Sequence, residues 1–341
     1  MLAFVKYGTG SFEAEVRDIA KPEPKDNEVL LSVAGCGVCG SDLHAYRSSK
    51  GYEWVIPPVT LGHEFAGTIV ATGRSVRHVK EGDRAAVIGI QGCGHCPVCR
   101  SGSTNLCLER QVIGLNMDGG MAAYAVVDAA YLVPIPDSLD PVMGALIEPI
   151  SVAAHAMRKP VIRPGDRVVV SGPGPIGLFC GLFATSSGAR VVMVGAEADA
   201  ETRLPLARRL GFTTVNVNRD ALDATLETAF EGSPPDLWVE ASGAPQAFIT
   251  AIEKVRGGGS LVIVGMYAQS FEWSPTPSVR AGHSVFFSYA SISRDYHLAL
   301  DLIAAGFIDP TQFANVYPLG EAEIAFKAAL SGKTIKPVLV P

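Results

Sequence analysis

Hydrophobic positions along the chain fall into two textures. From the first residue to about residue 150, short apolar runs alternate with turns. Segments 28–35, 67–73, 84–89, 121–127 and 131–135 read as strands, with Pro22, Pro24 and the turn 79–83 as breaks. The opening run 1–8 has no basic stretch before an apolar core, so it reads as a first strand, not a signal peptide. Many short strands with regular turn signals predict a compact β-rich unit, in part barrel-like.

Near residue 145 the texture changes. Segment 145–157 has helical composition, and 167–171 is a continuous apolar strand followed by a glycine-rich turn and an apolar helix through Ala184. Further strands are expected at 190–195, 236–240 and 260–265, and helices at 201–210, which Gly211 ends, and 247–255. Strand and helix alternate, which predicts an α/β unit built on a parallel sheet with right-handed crossovers. A helix at 296–305 and a strand at 335–340 close the chain. That strand is positioned to return to the first unit.

Composition narrows the function classes. At 341 residues the chain exceeds one ordinary core, so two domains are expected. It is 48% hydrophobic and 18% charged, which supports buried sheets and argues against disorder. A net charge of -6 gives no basic face for nucleic acid. The apolar runs are strand-length, so no membrane span is expected. Clustered cysteines without export signals fit thiolate metal ligands in a reducing cytoplasm better than a disulfide framework.

The densest chemistry is Cys93, Cys96, Cys99 and Cys107, spaced x2, x2, x7. Gly92, Gly94 and Pro97 supply turn backbone, and four sulfurs in this pattern predict a closed, structural zinc site. His95 reads as a turn residue within that loop.

Gly172-Pro173-Gly174-Pro175-Ile176-Gly177 matches G-x-G-x-x-G, follows a strand and opens a helix. This context predicts dinucleotide binding: Gly172 for the tight turn, Gly174 for close approach to the pyrophosphate, Gly177 for helix packing on the strand. The helix N terminus favours the phosphate charge. The acid that should meet the ribose is not at the end of the second strand, which reads Val194-Gly195-Ala196-Glu197-Ala198-Asp199. Glu197 is the nearer candidate and Asp199 the second. Arg203 could instead meet a 2′-phosphate, so NAD is expected, with NADP as the alternative.

Cys39, His63 and Glu64 form a looser group, with Glu148 a further acid. A catalytic zinc needs about three protein ligands and an open position. Cys39 and His63 can supply two, and Glu64 or Glu148 the third. Cys36 reads as core; a redox pair with Cys39 would place Cys36 on the preceding strand. His78, His283 and His297 read as ordinary polar side chains.

At these residues the chain resembles the zinc-dependent medium-chain alcohol dehydrogenases. The motifs are Gly37-Val38-Cys39-Gly40-Ser41-Asp42-Leu43-His44, Gly62-His63-Glu64-Phe65-Ala66-Gly67, the four clustered cysteines and the glycine turn. The run Glu148-Pro149-Ile150-Ser151-Val152-Ala153-Ala154-His155 looks like the sorbitol (polyol) dehydrogenase branch, and the first two motifs are shared with threonine and butanediol dehydrogenases. The resemblance implies a Rossmann dinucleotide-binding domain, 154–295, inserted into a GroES-like β-rich catalytic domain, 1–153 and 296–341, with the zinc lobe at about 90–110. It implies two zinc ions per chain. It also implies that Ser41 and His44 relay the alcohol proton and that Glu148 acts at the metal directly or through water. Ser242, Val264, Gly265 and Ala290 match the cofactor contacts loosely. The departure is Gly195, where many NAD-using relatives carry Asp. The implied substrate is a small hydrophilic alcohol, namely a polyol, sugar or cyclitol, and the implied assembly a homo-oligomer, a tetramer or dimer. Tyr46, Tyr52, Trp54, Asn116, Asp118 and Arg294 are candidates to meet its hydroxyls.

Overall fold

A computed structural model describes residues 1–341, which divide into two compact units. The first comprises residues 1–151, 291–301 and 309–341, and the second residues 152–290 and 302–308.

The first unit is built on the long strand Glu28–Gly37, whose buried face carries Val29, Leu31 and Val33. It pairs antiparallel with Glu64–Thr72 and with Tyr124–Asp128. The sheet continues through Arg84–Val87 to Leu132–Pro134 on one side. On the other side, the closing strand Lys336–Val340 pairs antiparallel with Glu28–Gly37 and parallel with Ala314–Pro318. The return of the last strand to the first unit is therefore real. A second sheet of three strands joins Ala14–Asp18, Leu2–Lys6 and Val59–Thr60. Phe4, Leu31, Leu61, Phe65, Ile69 and Phe326 lie in the core of this unit, each almost wholly buried. Burying side chains of this size contributes roughly 1.5–3 kcal/mol each.

The second unit is a six-stranded, all-parallel sheet. Its strands in chain order are Arg167–Ser171, Arg190–Gly195, Thr213–Asn216, Leu237–Glu240, Ser260–Ile263 and Ser284–Phe287. In space the third lies outermost, then the second, first, fourth, fifth and sixth. This is the doubly wound order of dinucleotide-binding sheets, which reverses direction beside the first strand. The central strands are unbroken apolar runs because parallel sheets are covered on both faces. Helices lie where the alternation predicted them, at Pro175–Ser186, Arg203–Arg209 and Pro245–Lys254. No helix is long and apolar enough to cross a membrane.

Candidate active site and dinucleotide cavity

Strand register assembles the first site. Gly37 is the cross-strand partner of Glu64. Cys39 lies just beyond the end of one strand and His63 just before the start of the other, so both lie at the same end of the sheet. The backbone leaves the strand at His63. This lets two adjacent residues face one point, which a regular strand forbids. The ligand atoms of Cys39, His63 and Glu64 lie within 4.8 Å of one another.

Cys39 also caps the helix Gly40–Tyr46. Asp42 on its first turn accepts from the Cys39 amide at 2.9 Å and from the Gly62 amide at 3.2 Å. One wholly buried carboxylate thus ties both ligand loops together. Asp42 also lies 3.7 Å from His63 Nδ1. Carboxylates behind metal-binding histidines orient the ring and raise its basicity. Ser41 Oγ is 3.3 Å from His63 Nε2. His44 lies one turn along the helix from Ser41, on the same side. It is stacked on Tyr52 with ring centres 4.9 Å apart.

Glu148 enters at the start of the helix Ile147–Met157 and is buried. Burial first, and the charge of Glu64 second, push its carboxyl up to about 7. Burial alone would lower the basicity of His63, but Asp42 and Cys39 outweigh it and hold the ring well above its ordinary value. Behind Glu148, Ser151 Oγ donates to the Glu148 carbonyl at 2.6 Å and meets Ser291 Oγ at 2.7 Å. Tyr296 Oη accepts from the Gly89 amide at 3.3 Å.

These residues fit a metal ion. A thiol, an imidazole and a carboxylate converge on one point. Asp42, Glu64 and Glu148 are buried around this point and Lys336 pairs with only one of them, so a bound cation would offset remaining negative charge. The set of sulfur, nitrogen and oxygen donors is that of zinc with an open position.

Sequence reading missed Lys336. Its ammonium donates to the Glu64 carboxylate and to the Val38 carbonyl at 3.0 Å, all buried. The available signal was a lone lysine in an otherwise apolar closing strand. Asp42 was equally legible in principle, three residues after the helix-capping cysteine.

The cysteine lobe is held by the short pair Ile90–Gln91 and Gln111–Val112. All seven cysteines are free thiols. The sulfurs of Cys93 and Cys99 are 4.0 Å apart, and those of Cys96 and Cys107 are 3.9 Å apart. A tetrahedron with metal–sulfur bonds of about 2.3 Å has edges of about 3.8 Å, so the four fit a closed zinc site. Cys36 is wholly buried in the core, with its thiol pushed well up by burial.

The second unit contains a cavity of about 340 Å³ beside the glycine turn, reached by Ser171, Gly172, Asp199, Trp238 and Ser242. Gly172 adopts φ 95°, which favours glycine. A β-carbon at Gly177 would collide with the Gly172 carbonyl, so helix and turn can close up only with glycine there. Gly174 caps the helix, with Pro175 and Ile176 in its first turn. Glu240, wholly buried, accepts from the amides of Ser242 and Gly243 and from Tyr267 Oη, and so fixes the loop that carries Ser242. Val264 and Gly265 donate their amides to the Glu240 carbonyl. Ala290 adopts the left-handed φ of 51°.

Glu197 does not line the cavity. Its carboxylate is tied to Arg219 and to Asn216 Nδ2, and it is Asp199 that faces inward. Arg203 pairs with Asp199 at 3.1 Å. Of the residues expected to meet hydroxyls, Tyr46 is core instead, packed on Phe4, Phe12 and Phe326. Asn116 and Asp118 are engaged by the amides of Val112 and Thr60. Tyr52 and Trp54 continue the stack from His44, and Arg294 is exposed.

Comparison with known proteins defines the family. Residues 25–137 match the alcohol dehydrogenase GroES-like domain family, and residues 175–305 match the zinc-binding dehydrogenase family. The chain belongs to the zinc-dependent medium-chain alcohol dehydrogenases and is an oxidoreductase. Its relatives include L-galactonate-5-dehydrogenase of Escherichia coli K12, 35% identical over 84% of this chain and 83% of that protein. Sorbitol dehydrogenase of Halalkalibacterium halodurans is 34% identical over 100% of this chain and 99% of that one. A zinc-binding-dehydrogenase homologue from Sinorhizobium meliloti 1021, solved with NADP, superposes with a TM-score of 0.90 at 29% identity, covering 100% of this chain and 99% of that one.

Proposed function

We propose that the protein transfers a hydride between the secondary alcohol of a polyol, sugar or cyclitol and NAD(P). The observation that carries this reading is the convergence of Cys39, His63 and Glu64, with Glu148 nearby, at one end of the main sheet of a chain that also carries a dinucleotide turn. The relatives named for sorbitol and L-galactonate support the substrate class.

Cys39, His63 and either Glu64 or Glu148 would hold zinc, while the cysteine lobe would hold a second, structural ion. When bound, zinc supplies a Lewis acid that lowers the pKa of the substrate hydroxyl, and the nicotinamide supplies the hydride acceptor. The residues of the chain do the rest. Asp42 holds both ligand loops and sets a negative charge 3.7 Å from His63 Nδ1. Ser41, whose Oγ is 3.3 Å from His63 Nε2, would take the alcohol proton. His44, on the same helix side, would pass that proton onward. Burial first, and Arg47 second, lower the basicity of His44, which keeps its ring neutral and able to accept near pH 7.

We further propose a cytoplasmic homo-oligomer of two or four copies. The edge strand Ser284–Phe287 leaves Phe287 exposed, and free thiols suit a reducing compartment.

A substrate screen followed at the nicotinamide absorbance, with NAD and NADP in parallel, tests the reading. Turnover of a polyol, sugar acid or cyclitol is expected. Activity on threonine or butanediol with none on polyols overturns it.

A further inference from the structure

The second strand of the dinucleotide unit, Arg190–Gly195, ends without an acid, yet the chain restores one by a local turn. Directly after Gly195 the backbone winds through the short turn Glu197–Asp199. Asp199 Oδ2 accepts from the Ala196 amide at 3.0 Å, and Oδ1 accepts from Arg203 Nη1 at 3.1 Å. These bonds fold the Asp199 carboxylate back over the strand end. A β-carbon added at Gly195 would lie 2.9 Å from Pro173 Cγ, 3.0 Å from Leu204 Cδ2 and 3.1 Å from Asp199 Oδ2. The space into which a side chain on the strand's last residue would extend is thus filled by Pro173, Leu204 and the Asp199 carboxylate together. The glycine leaves room for an acid delivered from four positions later.

Asp199 lines the cavity beside Gly172, Gly195 and Val217. The cavity lining contains no lysine or arginine. Of the two nearby cations, Arg203 pairs with Asp199 through Nη1 and Arg219 pairs with Glu197, and neither lines the cavity. An anionic oxygen accepts hydrogen bonds from hydroxyl groups and repels a phosphate. A ribose with both hydroxyls free suits this wall, and a 2′-phosphate does not.

We propose that Asp199 selects NAD over NADP, by accepting the adenosine ribose hydroxyls in place of a strand-end acid. This rests on the dinucleotide reading of the cavity. The test is calorimetric titration of the full-length protein with NAD and with NADP, in the absence of alcohol. The wild-type protein is expected to bind NAD more tightly. Asp199→Ala removes a charge-assisted acceptor and is expected to weaken NAD binding by roughly tenfold or more, with NADP binding unchanged or tighter. Asp199→Asn keeps an acceptor for the Ala196 amide and so protects the turn. It is expected to tighten NADP and narrow the preference. Equal wild-type affinity for the two dinucleotides overturns the inference and leaves dinucleotide binding intact. A preference unchanged in both variants does the same. Failure of the wild-type protein to bind either dinucleotide overturns the underlying reading, and the inference with it.

Discussion

Lys336 and Glu64 are 272 positions apart and form a buried ion pair beside the candidate metal ligands. Gly37 accounts for the meeting. It is the cross-strand partner of Glu64 on one side and of Val338 on the other. The two candidate ligand acids, Glu64 and Glu148, are therefore held differently. Glu64 has a fixed cation, whereas the Glu148 carboxyl is pushed up to about 7 by burial and by the charge of Glu64.

Lys336→Met should leave the Glu64 charge buried without its partner. Breaking one side of a buried pair costs about 3–5 kcal/mol. Denaturant unfolding should show a loss of that order, together with a lower zinc content. An unchanged midpoint would mean that the pair contributes nothing to the folded state.

The purified protein should contain about two zinc ions per chain by elemental analysis. Cys99→Ala should remove one of them and lower the thermal midpoint, because a structural zinc contributes directly to folding. Retention of both ions in that variant would exclude the cysteine lobe as a metal site.

Cys39→Ala should abolish turnover while leaving dinucleotide binding intact, since the cavity beside Gly172 belongs to the other unit. Measuring turnover and NAD affinity on the same preparation separates the two effects. Wild-type turnover in this variant would refute the metal-site mechanism.

Asp236 gives a prediction in the acid range. The Arg167 guanidinium holds its carboxyl well below the usual carboxylate range; burial opposes this, and Arg256 adds to it. The Arg167 guanidinium makes two bonds to it, at 2.7 and 2.8 Å, the Arg167 amide a third at 2.9 Å, and Arg256 one at 2.6 Å. Because the folded-state value is depressed, the stabilisation is fully present above the unfolded value near 4 and is lost as pH falls toward the folded value. Asp236→Asn should cost about 2 kcal/mol at pH 7, and the gap to wild type should shrink below about pH 4. A gap that stays constant through that window would show that the charge is not responsible.

What could be read from the sequence depended on distance along the chain. The four lobe cysteines and the glycine turn were legible because each is a local pattern set by one loop. The alternation of strands and helices gave the parallel sheet, but not its spatial order, which depends on crossovers between distant segments. Cys39, His63 and Glu64 could be grouped by donor chemistry, but Lys336 could not, because only strand pairing brings it near. Glu197 ranked first for the ribose because it lies fewer residues from the strand. The structure gives the inward position to Asp199, since a tight turn carries the nearer acid toward Arg219 and returns the farther one to the cavity. Tyr46 was a plausible pocket residue by its hydroxyl, but its helix position buries it among Phe4, Phe12 and Phe326.

The pairing of Lys336–Val340 with Glu28–Gly37 also sets an order of events during synthesis. The second unit has all six of its strands once Phe287 has left the ribosome, before the closing strand of the first unit exists. Glu64 must wait for the 272 residues that separate it from Lys336 before its charge is matched. During translation the nascent first unit thus carries an unfilled place in its main sheet and an unpaired acid among its candidate ligands. Contacts this distant in sequence form late and slowly. The interval before the last strand docks is when the growing chain is most exposed to mispairing at that open sheet position.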